Sequence, residues 1–80
     1  MKINTPNDKK NIIGERLKTY RKQNKITQED LAARLQLESL TLDRTAISKI
    51  ERNERLVTDY EVVAIAAALR VEVKWLLTGK

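Results

Sequence analysis

Thirteen residues, DRTAISKIERNER at 43–55, concentrate the side chains with most to offer a charged partner. Four are arginine or lysine and three are acids. Ile47 and Ile50 sit at helical spacing and make one thin apolar edge, which leaves Arg44, Thr45, Ser48 and Lys49 on the remaining faces. Such a helix is either a solvated surface element or one shaped to enter something polar and negatively charged. The available chemistry is pairing of guanidinium and ammonium groups with anions, plus hydrogen bonding by two hydroxyls. Catalytic chemistry is not expected. The chain has no histidine and no cysteine, only two glycines, and therefore no glycine-rich phosphate loop. Its carboxylates fall at helix starts, where capping accounts for them. Neither a metal site nor a cofactor is expected.

The elements that must position this helix are constrained by size and charge. Eighty residues make one domain with a limited core. Without cysteine or histidine that core depends on helix packing, with dimerisation as an aid. The net charge of +5 and a pI near 9.8 point to a polyanionic partner, nucleic acid or an anionic membrane surface. No apolar run approaches the roughly 18 residues of a spanning helix. The start, MKINTPNDKKN, has no apolar stretch like that of a signal peptide. A cytoplasmic protein is the expectation.

Residues 1–11 read as a flexible polar arm and residues 12–80 as the folded domain. Lys2, Lys9 and Lys10 of the arm are expected to be solvated, and Pro6 excludes a helix before it. Helix one is expected from near Asn11, with Ile13, Leu17 and Tyr20 on its apolar face; Gly14 is tolerable if another backbone packs closely there. ITQEDLAARL, 26–35, is a second helix, capped by Thr27 with Asp30 reaching back. Asp43 caps a third, which runs to about Arg52, and Asn53 suits the left-handed residue that ends it. Thr58 with Glu61 is a capping box for a fourth, whose Val62, Ile65, Ala66 and Leu69 repeat at i, i+3, i+4, i+7. VEVKWLL, 71–77, alternates like a strand, but a lone strand has no partner, so a short fifth helix is expected there.

Two short helices, 27–37 and 44–52, thus stand together, the second with a basic polar outer face. That is the form of a helix-turn-helix. The B-DNA major groove, about 12 Å wide, admits one such helix. IGERLKTYRKQNKITQEDLAARL, LDRTAISKIERNER and VVAIAAALRVEVKWLLTG, taken in order, resemble the lambda-repressor-like helix-turn-helix family, the Cro/cI or XRE type, over residues 12–79. The resemblance implies an all-α, compact five-helix DNA-binding domain with its helix-turn-helix in helices two and three. It further implies sequence-specific binding of a double-stranded operator and transcriptional regulation, most often repression.

By the same resemblance, Arg44, Thr45, Ser48 and Lys49 occupy the positions that face bases. Gln28, Arg21, Arg52, Asn53 and Arg55 occupy positions that approach phosphates. Gln28 also braces the recognition helix, and Arg21 matches a residue that pairs with the glutamate standing here at Glu51. Trp75 is read first as a packing residue and second as part of a homodimer contact in the C-terminal region; Tyr20 and Tyr60 are read as partly buried. Three positions depart from the family pattern. LQLESLTLD replaces a shorter glycine-containing turn between helices two and three, so it either lengthens helix two or shifts the recognition helix. Arg70 stands where glycine is common, and Val57 where proline is common. The alternative to DNA binding is a protein-interaction module, an antitoxin or bridging factor, which an exposed stripe of Leu37, Leu40 and Leu42 would favour.

Overall fold

A computed structural model describes residues 8–80 and contains five helices: α1 Gly14–Gln23, α2 Gln28–Leu37, α3 Arg44–Glu51, α4 Asp59–Leu69 and α5 Val73–Thr78. The starts of α2, α3 and α4 are set by local chemistry. Thr27 Oγ1 accepts from the Asp30 N–H at 2.9 Å while Asp30 Oδ2 accepts from the Thr27 N–H at 3.0 Å. Thr58 and Glu61 form the same reciprocal box, and Asp43 Oδ1 accepts from the Ala46 N–H at 2.8 Å. Each cap satisfies donors that have no partner within the helix. The short helix through Trp75 is present, so alternation alone did not make residues 71–77 a strand.

Helix α1 begins at Gly14, three residues after the expected start. Asn11 lies outside the helix and works as a clasp: its Oδ1 accepts from the N–H groups of Gly14 (2.8 Å) and Ile13 (3.2 Å). Its Nδ2 donates to the carbonyls of Ile50 (3.1 Å) and Arg55 (2.9 Å). One side chain therefore joins the start of α1 to the end of α3. Gly14 is needed at this junction, because a Cβ there would run into the Ile50 carbonyl oxygen and stand 2.7 Å from Asn53 Nδ2. The described end of the arm is tied down as well: the Lys10 N–H donates to the Asn53 carbonyl at 2.9 Å and Lys9 pairs with Glu15 at 3.1 Å. Lys2 and Pro6 lie outside the described residues.

The core is a single cluster. Leu17 of α1, Leu31 and Leu35 of α2, Ile47 and Ile50 of α3, Ile65 of α4 and Leu76 of α5 are all essentially inaccessible. α2 packs on α3 and α4, α1 on α3, and α5 on α4. The long α2–α3 connection is absorbed in two ways. Helix α2 runs on to Leu37, and the chain then reverses at Ser39, whose φ is 62°. The Leu40 N–H donates to the Leu35 carbonyl and the Ser39 N–H to the Gln36 carbonyl, closing the helix end in a Schellman turn. Leu42 is buried and anchors the segment before Asp43. Asn53 ends α3 in the left-handed conformation, as expected, and Arg70 takes that conformation after α4 without a glycine.

Trp75 packs edge-on against Tyr20, ring centroids 5.4 Å apart, and both are half-buried. Tyr60 differs from expectation: it is 85% exposed, because it occupies the face of α4 opposite the one that meets the core.

Candidate nucleic-acid interface

Helix α3 is held from beneath by Ile47, Ile50 and Glu51 and stands as a ridge on the surface. Arg44, Thr45 and Lys49 are exposed along it and Ser48 is half-exposed. Their spacing divides them into two flanks. Arg44, Ser48 and Arg52 border a concavity completed by Lys18 and Lys22 of α1 and by Thr27, Gln28 and Glu29 at the start of α2. Thr45 and Lys49 border a second concavity with Asp43, Glu54 and Arg55. The ridge therefore carries cations and hydroxyls on both sides, and the first hollow adds two exposed lysines and the N-terminus of α2. A helix N-terminus presents backbone N–H donors and the positive end of its dipole, which suits a phosphate.

The polar contacts distinguish cations that are free from cations that are engaged. Arg44 is 71% exposed at its side chain, and its nearest acid, Glu29, lies 3.8 Å away and is itself exposed; this loose pair gives way readily. Arg52 Nη1 donates to Ser48 Oγ at 2.7 Å and its Nη2 lies 3.2 Å from Glu54, so Arg52 and Ser48 act as a unit on the ridge. Arg21 is engaged altogether. Its Nε and Nη2 donate to the two oxygens of Glu51 at 2.7 and 3.1 Å, its Nη1 donates to the Ile26 carbonyl at 2.8 Å, and the two side chains are 9% and 3% exposed. Arg21 thus joins α1 to the last turn of α3 from inside the fold, and a phosphate would have to compete with a buried carboxylate for it. Gln28 Nε2 donates to the same Glu51 at 3.0 Å, so the brace expected of Gln28 is present.

Arg55 and Asn53 also have structural partners. Arg55 makes a two-pronged pair with Glu61, 3.0 Å on each side. The hydrogen bond from Arg55 holds the Glu61 carboxyl below the usual carboxylate range, against the opposing effect of burial, and Glu61 in turn raises the Arg55 guanidinium. Asn53 Nδ2 donates to Asn11 Oδ1 at 3.0 Å and to the Asn11 carbonyl at 3.1 Å. Of the nine positions expected to face bases or phosphates, the ridge brings Arg44, Thr45, Ser48, Lys49 and Arg52 together at the surface. The other four brace the frame on which α3 stands.

In the sequence Lys18 and Lys22 are simply cations off the apolar face of helix one. Their i, i+4 spacing was visible, but nothing in the sequence showed that this face adjoins the N-terminus of α2. Asn11 reads as a helix start, and no local signal shows that it binds the carbonyls of Ile50 and Arg55. Among the described residues no cluster of acids is arranged to hold a metal ion, and no helix is long and apolar enough to cross a membrane.

A bundle whose exposed helix carries cations and hydroxyls, braced by a buried ion pair beside a second helix's N-terminus, defines a helix-turn-helix DNA-binding domain. The chain belongs to the helix-turn-helix family, whose model matches residues 17–76, and is a DNA-binding transcriptional regulator. It is 41% identical over 71 residues to the control protein C.SmaI of Serratia marcescens, a match that covers 89% of this chain and 79% of that protein. Its fold is similar to that of the P22 c2 repressor protein, whose crystal structure is a complex with the synthetic operator 9T in the presence of Tl+. The TM-score is 0.72 at 30% identity, covering 86% of this chain and 97% of the repressor chain.

Proposed function

We propose that the protein acts as a repressor by placing α3 in the major groove of a specific operator. The observation that carries this is the ridge: Ile47, Ile50 and Glu51 fasten one side of α3, while Arg44, Thr45, Ser48 and Lys49 stand outward with no core role. Arg44 and Lys49 can donate to guanine, and Thr45 and Ser48 can touch a thymine methyl or a base edge. Lys18, Lys22, Arg52 and the first turn of α2 would hold the flanking phosphates and fix the register of the ridge. Two copies would read an inverted repeat with half-site centres about 10 bp apart.

Selection of bound duplexes from a random pool, with Arg44→Ala in parallel, tests this. The expected result is an enriched inverted repeat that loses discrimination at one position per half-site in the variant. Lys22→Ala should weaken binding evenly across sequences and reduce the salt slope by about one. Binding without an enriched motif, vanishing as salt rises, would reduce the protein to a nonspecific polycation. Only part of the stripe that would favour the protein-interaction alternative is at the surface: Leu37 is exposed and Leu40 half-buried, but Leu42 is part of the core.

A further inference from the structure

Glu29 is the odd side chain in the hollow beside α3. Lys18, Lys22, Arg44 and Arg52 line that hollow, and among the described residues only two carboxylates do, Glu29 and Glu51. Glu51 is engaged by Arg21 and Gln28, and its side chain is 3% exposed. Glu29 is 79% exposed at its side chain. It stands in the first turn of α2, where flanking phosphates would be held, and its charge opposes theirs. Helix formation does not require it. Thr27 and Asp30 close the capping box by themselves, and Asp30 already supplies an acid to the helix dipole.

Its place beside Arg44 gives the charge a use. Glu29 Oε1 faces Arg44 Nη1 at 3.8 Å, which leaves the Nε and Nη2 edge of the guanidinium for another acceptor. An arginine alone on a DNA-facing ridge is drawn to phosphate as well as to guanine, because phosphate carries a full negative charge. An arginine with a carboxylate beside it is a nearly neutral pair. A phosphate brought to that pair is repelled by the carboxylate. The O6 and N7 atoms of guanine are acceptors without net charge and meet no such repulsion. The carboxylate thus acts against one class of acceptor and spares the other, and a contact made unfavourable for the wrong partner is a source of specificity.

We propose that Glu29 is a positioning residue for sequence discrimination: paired with Arg44, it turns that arginine from a phosphate binder into a reader of base edges. The inference rests on the reading of Arg44 as a base contact and adds the residue that makes the contact selective.

The test is the affinity for a duplex recovered by selection and for a scrambled duplex of the same length, over a salt series. Wild type, Glu29→Gln, Arg44→Ala and the double variant are compared. Glu29→Gln should tighten binding to the scrambled duplex roughly three- to fivefold, the scale of an exposed charge pair, and should gain less on the selected one, so the ratio of the two falls. Its salt slope on the scrambled duplex should steepen by about one, as Arg44 takes up a phosphate. With Arg44→Ala already present, the same change should tighten both duplexes equally and leave the ratio alone. A loss of fold weakens binding to both duplexes and cannot imitate this pattern. A ratio unchanged by Glu29→Gln, or one that falls as far without Arg44 as with it, would overturn the proposal and leave the operator reading standing. The operator reading fails on a different result: Arg44→Ala that keeps the wild-type ratio shows that Arg44 reads no base, and the role of Glu29 falls with it.

Discussion

Glu51→Ala should be among the most damaging substitutions in this protein. The Glu51 carboxylate accepts from Arg21 at 2.7 and 3.1 Å and from Gln28 at 3.0 Å, and both members of the ion pair are nearly inaccessible to water. Truncation leaves the Arg21 guanidinium buried with only the Ile26 carbonyl as a partner. Removing one member of a buried pair costs about 3–5 kcal/mol, because the remaining charge stays desolvated. A domain of this size holds roughly 4–12 kcal/mol in total. At roughly 1 kcal/mol per molar of urea, the unfolding midpoint should fall by about 3 M or more, a change the single tryptophan can report. Replacing both members, Arg21→Met with Glu51→Leu, removes the stranded charge and should cost much less than Glu51→Ala alone. That variant also covers the case in which the single mutant does not fold. If Glu51→Ala moved the midpoint by less than about 1 M, the pair would be behaving as an exposed one. The account of α3 as a ridge braced from within would then be wrong.

Other substitutions test the remaining joints. Gly14→Ala should destabilise by about 1–2 kcal/mol in a thermal melt, although alanine is the better helix former, because the Ile50 carbonyl it meets is backbone and cannot turn aside. Ser39→Gly should stabilise by up to about 1 kcal/mol, since Ser39 holds a left-handed φ of 62° that a side chain resists; an unchanged midpoint would count against strain at that turn. The Arg55–Glu61 pair makes stability depend on acid. The Glu61 pKa is lowered from 4.5 in the folded state, so its contribution is present above that value and is lost as pH falls through the lower folded value. Urea midpoints measured from neutral to acidic pH should drop more steeply for the wild type than for Glu61→Gln, which keeps the capping box with Thr58.

The helices were legible because their signals are local. Thr27 with Asp30, Asp43, Thr58 with Glu61, and the left-handed residue at Asn53 state where helices begin and end within four residues of sequence. The apolar periods of α2 and α4 state which faces are inward. The five-helix order and the four residues on the outer face of α3 followed from those signals and from the family resemblance. Helix one begins later than the sequence suggests because Asn11 resembles an ordinary helix start, whereas its bonds to Ile50 and Arg55 span some forty residues of chain. An aromatic residue on an otherwise apolar helix reads as partly buried, and nothing local shows that the Tyr60 side of α4 faces solvent.

By itself the sequence determined the class of fold, the positions of the helices and the presence of a basic, hydroxyl-bearing helix with a thin apolar edge. All of these depend on residues within one or two turns of each other. Only the tertiary structure decided which cations are available to a polyanion. Arg21, Arg44 and Arg55 carry the same charge, yet Arg21 is enclosed by Glu51 and Ile26, Arg55 is clamped to Glu61, and Arg44 stands nearly free. Charge is a property of the residue, whereas desolvation and pairing are set by what another helix brings within about 3 Å of it.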